Sequence, residues 1–177
     1  MPSIDATVGG AASNSFVTVA ECDAYCDARL NASAWNDESD DDQKARALIE
    51  ASRDLSQRQW VGVGRTSSTQ ALAWPRTMAE NPDIGWPGLW YFDSNVIPQR
   101  VKDATSELAL QFLILGTTDL LALDPTLNVI EKTVDVLTTR YAEPLTRARG
   151  LDRFPSVTRF IRPLLVGSSN SVGIVRG

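Results

Sequence analysis

A long and almost uniformly apolar helical pattern over residues 98–123 constrains the fold of this chain more than any other feature. Val101, Ala104 and Leu108 recur every three or four residues, as on one face of a helix. The same face continues and widens through further apolar side chains: Leu110, Phe112, Leu113, Ile114 and Leu115. Because a helix that is apolar nearly all round needs neighbours on every side, the pattern predicts the central helix of a bundle.

Local signals predict three further helices around this central one. Thr18 and Glu21 form a capping box that begins a helix over about residues 19–31. The acidic run at residues 37–42 favours the start of a second helix, over about residues 41–58, because carboxylates stabilise helix N-termini. Residues 155–165 have the spacing of a short amphipathic helix.

The remaining segments add a small β element and two arms. Residues 129–141 are rich in valine, threonine and isoleucine, which favours a strand or hairpin. They lack a turn glycine, so a tight two-residue hairpin is not expected. Small, polar and glycine-rich ends predict arms at residues 1–17 and 166–177. The predicted fold is mainly α: a small helical bundle over residues 18–165, with a minor β-strand or hairpin element and extended N- and C-terminal arms.

An aromatic loop is predicted at residues 77–95, where regular patterns are missing. Long irregular loops are usually functional, and aromatic residues are enriched at contact surfaces. We therefore assign a contact between subunits to this loop. Its candidate residues are Trp86, Trp90, Tyr91 and Phe92.

Four residues just ahead of the loop alternate aromatic rings with arginines, as single-stranded nucleic-acid binders do. They are Trp60, Arg65, Trp74 and Arg76. Against binding, the chain carries a formal net charge of −5, and phosphate contacts drive non-specific DNA binding. We favour packing of the two tryptophans in the core.

Composition removes most catalytic chemistry. The chain has no histidine, the commonest general base and metal ligand, and only two cysteines. The segment VGVGR at residues 61–65 lacks the third glycine of a dinucleotide loop, and the acidic run lacks the alternating pattern of a calcium loop. We therefore expect no enzyme activity, no metal and no cofactor.

Charge is divided along the chain. Residues 1–50 hold ten acids and three bases, whereas residues 140–177 hold seven arginines and two acids. This suits head-to-tail contact between copies or docking on an acidic partner, and unevenly charged solvated surface explains it equally well. No signal peptide is visible, and the uncharged stretch at residues 108–118 is shorter than the ~20 residues of a bilayer span. We expect a soluble protein without a membrane partner.

Several segments in succession resemble one family. They are NSFVTVAECDAY at residues 14–25, KARALIEASR at residues 44–53 and QALAWPR at residues 70–76, followed by a helix that contains ELAL at residues 107–110. The succession resembles tailed-bacteriophage head-to-tail connector (adaptor) proteins, in a family often labelled DnaT-like single-stranded-DNA-binding. The resemblance implies a small helical bundle whose copies form a ring, usually of twelve, between the portal and the tail.

The function expected from this resemblance is structural. The chain would be a virion protein of the head–tail junction, made in the host cytoplasm, whose ring joins the capsid portal to the tail and continues the DNA channel. Its expected partners are the portal protein, the next tail component (a stopper, nozzle or tail tube terminator) and its own copies in a dodecamer, without sequence-specific nucleic acid. The alternative is a phage or prophage replication accessory protein that binds single-stranded DNA.

Two groups of residues are candidates for these contacts. The C-terminal group would dock on the portal or tail, although packing of its helix on its own bundle is weighted equally. It comprises Arg153, Phe154, Arg159, Phe160, Arg162, Leu164, Leu165, Val172, Ile174, Val175 and Arg176. The second group would line the DNA channel with acids and comprises Asp40, Asp41 and Asp42, which also suit a helix cap.

Overall fold

The computed structural model of the chain describes residues 2–38, 40–84, 90–116, 131–134, 137–140 and 150–167. These residues hold five α-helices: α1 (Val19–Asp27), α2 (Ser33–Asn36), α3 (Asp41–Ser56), α4 (Gln99–Leu115) and α5 (Pro155–Ile161). They also hold two antiparallel strand pairs: β1 (Gly64–Arg65) with β2 (Arg76–Thr77), and β3 (Glu131–Val134) with β4 (Leu137–Arg140). The predicted mainly α bundle with a minor β hairpin is confirmed.

Helix α4 lies at the centre of the bundle and packs against α1, α2, α3 and α5. Val101, Ala104 and Leu108 are fully buried, as the apolar spacing predicts. The helix ends where Gly116 adopts a left-handed conformation with φ of 64°. The last part of the predicted helix, residues 117–123, lies outside the described residues.

Both predicted N-terminal signals form the caps that the sequence indicates. The Thr18 side chain accepts a hydrogen bond from the Glu21 N–H, and the Glu21 carboxylate accepts one from the Thr18 N–H. The Asp40 carboxylate accepts from the Asp42 N–H at the start of α3. Helix α1 ends at Asp27, earlier than predicted, and the chain beyond it places Arg29 against α4.

A buried ion pair joins the end of α1 to α4. Glu107 has no exposed side-chain surface, and its carboxylate accepts a hydrogen bond from Arg29 at 2.6 Å and from the Tyr25 hydroxyl at 3.2 Å. Burial of Tyr25, together with the negative charge of Glu107, raises the pKa of its hydroxyl to about 12. Because an unpaired buried carboxylate is costly, these contacts fix α1 on α4.

The hairpin of β3 and β4 corrects one expectation. Four consecutive pairs, from Glu131 opposite Arg140 to Val134 opposite Leu137, set its register. That register leaves two residues between the strands, so the expectation against a two-residue connection is wrong. Glycine favours such a turn without being required for antiparallel pairing.

The N-terminal segment has no helix or strand over residues 2–17, yet its end is anchored. Phe16 and Val17 are each 1% exposed, and the Phe16 N–H donates to the Ser52 hydroxyl on α3 at 3.0 Å. The segment therefore contributes to the core where it enters α1. Among the described helices, none combines the length and apolarity needed to cross a membrane.

Candidate nucleic-acid interface

Four extended segments lie side by side in an irregular ladder, which we name the edge ladder, in the order 164–166, 59–65, 76–81 and 90–92. Backbone hydrogen bonds join them: Val61 N–H to the Leu164 carbonyl (2.9 Å), Val63 N–H to the Thr77 carbonyl (3.0 Å) and Phe92 N–H to the Ala79 carbonyl (2.9 Å). Bridges of Trp60 with Leu165 and of Glu80 with Tyr91 complete it. The ladder thus ties the predicted aromatic loop and the C-terminal segment to one structure.

Three aromatic rings next to the edge ladder form a cluster at the core. The ring centroids of Trp60 and Trp74 are 5.7 Å apart, and those of Trp74 and Phe92 are 6.0 Å apart, both in edge-to-face geometry. Trp60 is 3% exposed and Trp74 is 1% exposed. The prediction that these two tryptophans pack in the core is confirmed, so neither can stack on a base.

Two aromatic rings of the predicted loop remain at the surface. Trp90 is 57% exposed and Tyr91 is 38% exposed, and they are the exposed aromatic side chains among the residues that the structure describes. Their backbone is fixed, because the Asn81 N–H donates to the Trp90 carbonyl at 2.9 Å and Tyr91 bridges Glu80. Trp86 lies outside the described residues. Each ring is thus an exposed aromatic surface on a backbone that hydrogen bonds hold in place, as base stacking requires.

Two arginines stand opposite each other in the same ladder. Arg65 pairs with Arg76 in the register of β1 and β2, so their side chains share one face. The Arg65 guanidinium donates to the Gln70 carbonyl, and Arg76 Nε donates to the Val61 carbonyl at 2.8 Å. Burial and the neighbouring Arg65 charge lower the pKa of Arg76. The side chain still carries its positive charge, because a guanidinium group does not lose its proton in proteins. Among the described residues, no carboxylate forms an ion pair with either arginine.

The rings and the arginines are connected along the chain. Thr66, next to Arg65, donates from its hydroxyl to the Ser94 carbonyl at 2.6 Å. Residues 90–94 therefore lead from the rings toward the arginine pair, over about 13 Å at the rise of an extended chain. The exposed acid Glu80 lies at the ring end of this path, opposite Tyr91, whereas Asp93 lies next to Ser94, toward the arginine end.

The candidate docking residues at the C-terminal end divide between core and surface. Phe154 and Leu164 are buried, as α5 packs on α4, whereas Leu165 is half-buried in the edge ladder. Arg159 and Arg162 are exposed, and the Arg159 guanidinium lies 4.7 Å from the ring centroid of half-buried Phe160. Arg153 lies beside the Phe154 ring. Val172, Ile174, Val175 and Arg176 lie outside the described residues.

The candidate channel-lining acids serve the start of α3. Asp40 caps the helix, and Asp41 and Asp42 lie in its first turn, where negative charge is stabilising. Among the described residues, no group of three or more histidine, cysteine or acidic side chains could hold a metal ion. The acids therefore have a local structural role in the element that they begin.

A cavity of about 190 Å³ between α1 and α4 also has a charged lining. Its Lys102 ammonium and Glu21 carboxylate lie 2.6 Å apart, and Gln99 donates to Asp103 at 2.8 Å. One ammonium faces the two carboxylates of Glu21 and Asp103, so the lining is net negative and does not favour an anionic ligand. The edge ladder is the stronger candidate site.

Fold and surface together define a small helical-bundle protein that presents two aromatic rings and an arginine pair on an irregular β ladder. The chain belongs to the family described as "Putative DnaT-like ssDNA binding protein", whose model matches residues 3–177. No curated protein matches the chain. No solved structure matches it either.

This family match corrects the identity expected from the sequence. The head-to-tail connector is contradicted, because the family description names single-stranded DNA binding. The expected partners are contradicted with it: the portal, the next tail component and a ring of twelve copies, without sequence-specific nucleic acid. The structural function in the virion is corrected on the same ground.

Sequence reasoning found the exposed rings of Trp90 and Tyr91 but wrongly grouped Phe92 with them, since Phe92 packs against Trp74 at the core. It also missed the pairing of the two arginines. The two residues are eleven positions apart, and each strand has two residues, too few for an alternating pattern. The available signal was the glycine on either side of Val63, since glycine within an extended segment often marks a close backbone approach. Gly62 indeed adopts φ of 93° beside the Thr77 carbonyl.

Proposed function

We propose that this protein binds single-stranded DNA on the edge ladder, with bases stacked on Trp90 and Tyr91. The observation that carries the proposal is the exposure of these two rings on a fixed backbone that leads to two unneutralised arginines. Membership of a family described by single-stranded DNA binding supports it. Stacking accepts any base, so the binding is expected to be largely independent of sequence.

Charge sets the strength of this binding. The formal net charge of −5 opposes a polyanion, so attraction must come from the local arginines and from stacking. Glu80 lies opposite Tyr91 and repels a phosphate at the ring end. Bases are therefore expected over the rings and phosphates near Arg65 and Arg76. Duplex DNA, whose bases are stacked on each other, should bind more weakly.

The test is a fluorescence anisotropy titration of a labelled oligothymidylate with the full chain and its variants. Trp90→Ala should weaken binding by about 1–3 kcal/mol, the usual contribution of stacking one base on an aromatic ring. The control is Leu30→Ala, which removes a side chain that is 101% exposed and remote from the ladder in sequence. Circular dichroism of each variant establishes that the fold is retained.

An oligomer of abasic deoxyribose phosphates separates stacking from charge. It keeps every phosphate and lacks every base. The proposal therefore predicts that it binds more weakly than oligothymidylate, and that Trp90→Ala does not change its affinity. Equal affinity of the native chain for both oligomers would contradict the proposal. So would an oligothymidylate affinity that Trp90→Ala and Tyr91→Ala leave unchanged.

Glu80 supplies a gain-of-affinity variant at the same surface. Glu80→Gln removes the carboxylate opposite Tyr91 and keeps the size of the side chain. Because a like charge near the bound strand is lost, oligothymidylate should bind more tightly, and the difference should shrink as salt is raised. A matched Glu38→Gln substitution before α3 should have no such effect.

A further inference from the structure

The arginine pair of the edge ladder is electrostatically unfavourable as it stands. Like charges directly opposite each other on neighbouring strands are destabilising. Several other cations of the described chain pair with acids: Arg100 with Asp83, Lys102 with Glu21 and Arg29 with Glu107. Among the described residues, no carboxylate forms an ion pair with Arg65 or Arg76. A pair of this kind is stabilised by an anion between the two guanidinium groups.

The Arg76 guanidinium is oriented before any ligand arrives. Its Nε donates to the Val61 carbonyl at 2.8 Å, and its two terminal nitrogens approach the Gly62 carbonyl at 3.4 Å and the Ala73 carbonyl at 3.5 Å. Three of its five N–H groups are used in this way, which leaves two for a ligand. Arg65 uses one, at the Gln70 carbonyl. Carbonyls thus hold the side chains without cancelling their charge.

Close backbone packing brings the two strands together at this point. A Cβ added to Gly62 would lie 2.9 Å from the Thr77 carbonyl oxygen, so only glycine lets the two backbones approach this closely. At Gly64, by contrast, an added Cβ meets nothing within 4 Å. The close approach at Gly62 therefore holds the strand that carries Arg76 close to the segment that carries Arg65.

We propose that Arg65 and Arg76 form a subsite for a phosphate oxyanion, held by the N–H groups that their backbone contacts leave over. The natural ligand of the subsite rests on the proposed function: it would be a phosphodiester of bound single-stranded DNA. Planar guanidinium forks suit a phosphate, whose oxygens accept two parallel hydrogen bonds from each. Free inorganic phosphate offers the same oxygens and serves as the probe.

The experiment is a titration of the full chain with inorganic phosphate at constant ionic strength, followed through the arginine Nε–H resonances by NMR. The resonances of Arg65 and Arg76 should shift together and saturate. Arg65→Gln should weaken phosphate binding about tenfold or more, the cost of losing a charged hydrogen-bond partner. Arg46→Gln on the exposed side of α3 is the control, with the same change in charge.

Thermal unfolding supplies a second readout that does not depend on spectral assignment. Without phosphate, Arg65→Gln should leave Tm unchanged or raise it, because the repulsion between the arginines is removed. With phosphate, Tm should rise for the native chain and for Arg46→Gln but not for Arg65→Gln. Shifts that do not saturate, or an equal rise in Tm for Arg65→Gln, would overturn the subsite.

The subsite and the proposed function can fail separately. If phosphate binds at the arginine pair while oligothymidylate does not bind the chain, the subsite stands and single-stranded DNA binding fails. If oligothymidylate binds with an affinity that Arg65→Gln leaves unaltered, the proposed function stands and the subsite is overturned.

Discussion

The tryptophans of this chain divide into two roles according to where each ring lies. Trp60 and Trp74 pack edge to face in the core, whereas Trp90, on the outermost segment of the edge ladder, keeps more than half of its surface exposed. Aromatic composition alone does not distinguish these roles. The burial of each ring distinguishes them: buried Trp74 stabilises the fold, and exposed Trp90 is available for contact at the surface.

Alanine substitutions of the two tryptophans should therefore differ in their effect on stability. Trp74→Ala should lower the free energy of unfolding by about 3–5 kcal/mol, since it opens a large cavity among packed rings. Trp90→Ala should change it by no more than about 0.5 kcal/mol, as for most surface positions. Urea unfolding of the two variants measures both values. A large loss of stability for Trp90→Ala would show that its ring supports the fold.

Glu21 gives the chain a defined response to acid. Burial acts to raise its pKa, but hydrogen bonds from Lys102 and from the Thr18 N–H together lower it from the ordinary value of 4.5. The unfolded chain then binds a proton at a higher pH than the folded chain does. This contribution to stability is complete above about pH 4.5 and is lost as the pH falls through the folded-state pKa.

The corresponding measurement compares the native chain with Glu21→Gln by urea unfolding across the acid range. The difference in stability between them should be largest at neutral pH and should shrink below about pH 4.5. A difference that stays constant with pH would mean that the charge of Glu21 contributes nothing to the cap.

Among the elements, the edge ladder depends on one glycine. Gly62 lies at a positive φ between the segment that pairs with residues 164–166 and strand β1, and its carbonyl accepts a hydrogen bond from Arg76. A side chain here would meet the Thr77 and Ala79 backbones. The ladder and the orientation of Arg76 thus share one requirement.

Gly62→Ala should therefore weaken both stability and binding. We expect a loss of about 1–3 kcal/mol in the free energy of unfolding, from the strained backbone, together with weaker binding of oligothymidylate. Gly64→Ala is a matched control, because its added Cβ meets nothing within 4 Å. If Gly64→Ala lost as much stability and binding as Gly62→Ala, the close backbone approach at Gly62 would not be what the ladder depends on.

How far each element could be predicted depends on how local its signals are. The capping box of α1, the Asp40 cap of α3 and the apolar spacing of α4 each lie within a few residues, and all three formed as expected. The ladder could not be predicted, because Trp60 bridges Leu165 across more than half of the chain. The burial of Glu107 was missed for the same reason: its partner Arg29 is 78 residues away.

For the whole molecule, charge distribution determines how binding responds to salt. The net charge of −5 leaves little general attraction for DNA, so the arginine pair must supply most of the phosphate contacts. With two such contacts on a single strand, a plot of log affinity against log salt concentration should have a slope of about −1.4. Arg65→Gln should bring the slope to about −0.7.

Anisotropy titrations at several salt concentrations give these slopes, and Arg46→Gln is the control for loss of one charge elsewhere. A much steeper slope for the native chain would point to phosphate contacts beyond the arginine pair. The exposed Arg159 and Arg162 at the C-terminal end would then be the first to substitute.

The most direct test of single-stranded DNA binding on the edge ladder is photocrosslinking to an oligonucleotide that contains 5-bromodeoxyuridine, with the adducts mapped by mass spectrometry. Stacked aromatic rings should react first, so adducts are predicted on Trp90 and Tyr91. They should disappear when an excess of unlabelled oligothymidylate competes. Adducts confined to other parts of the chain, or no adduct at concentrations that saturate binding, would contradict the assignment of the interface.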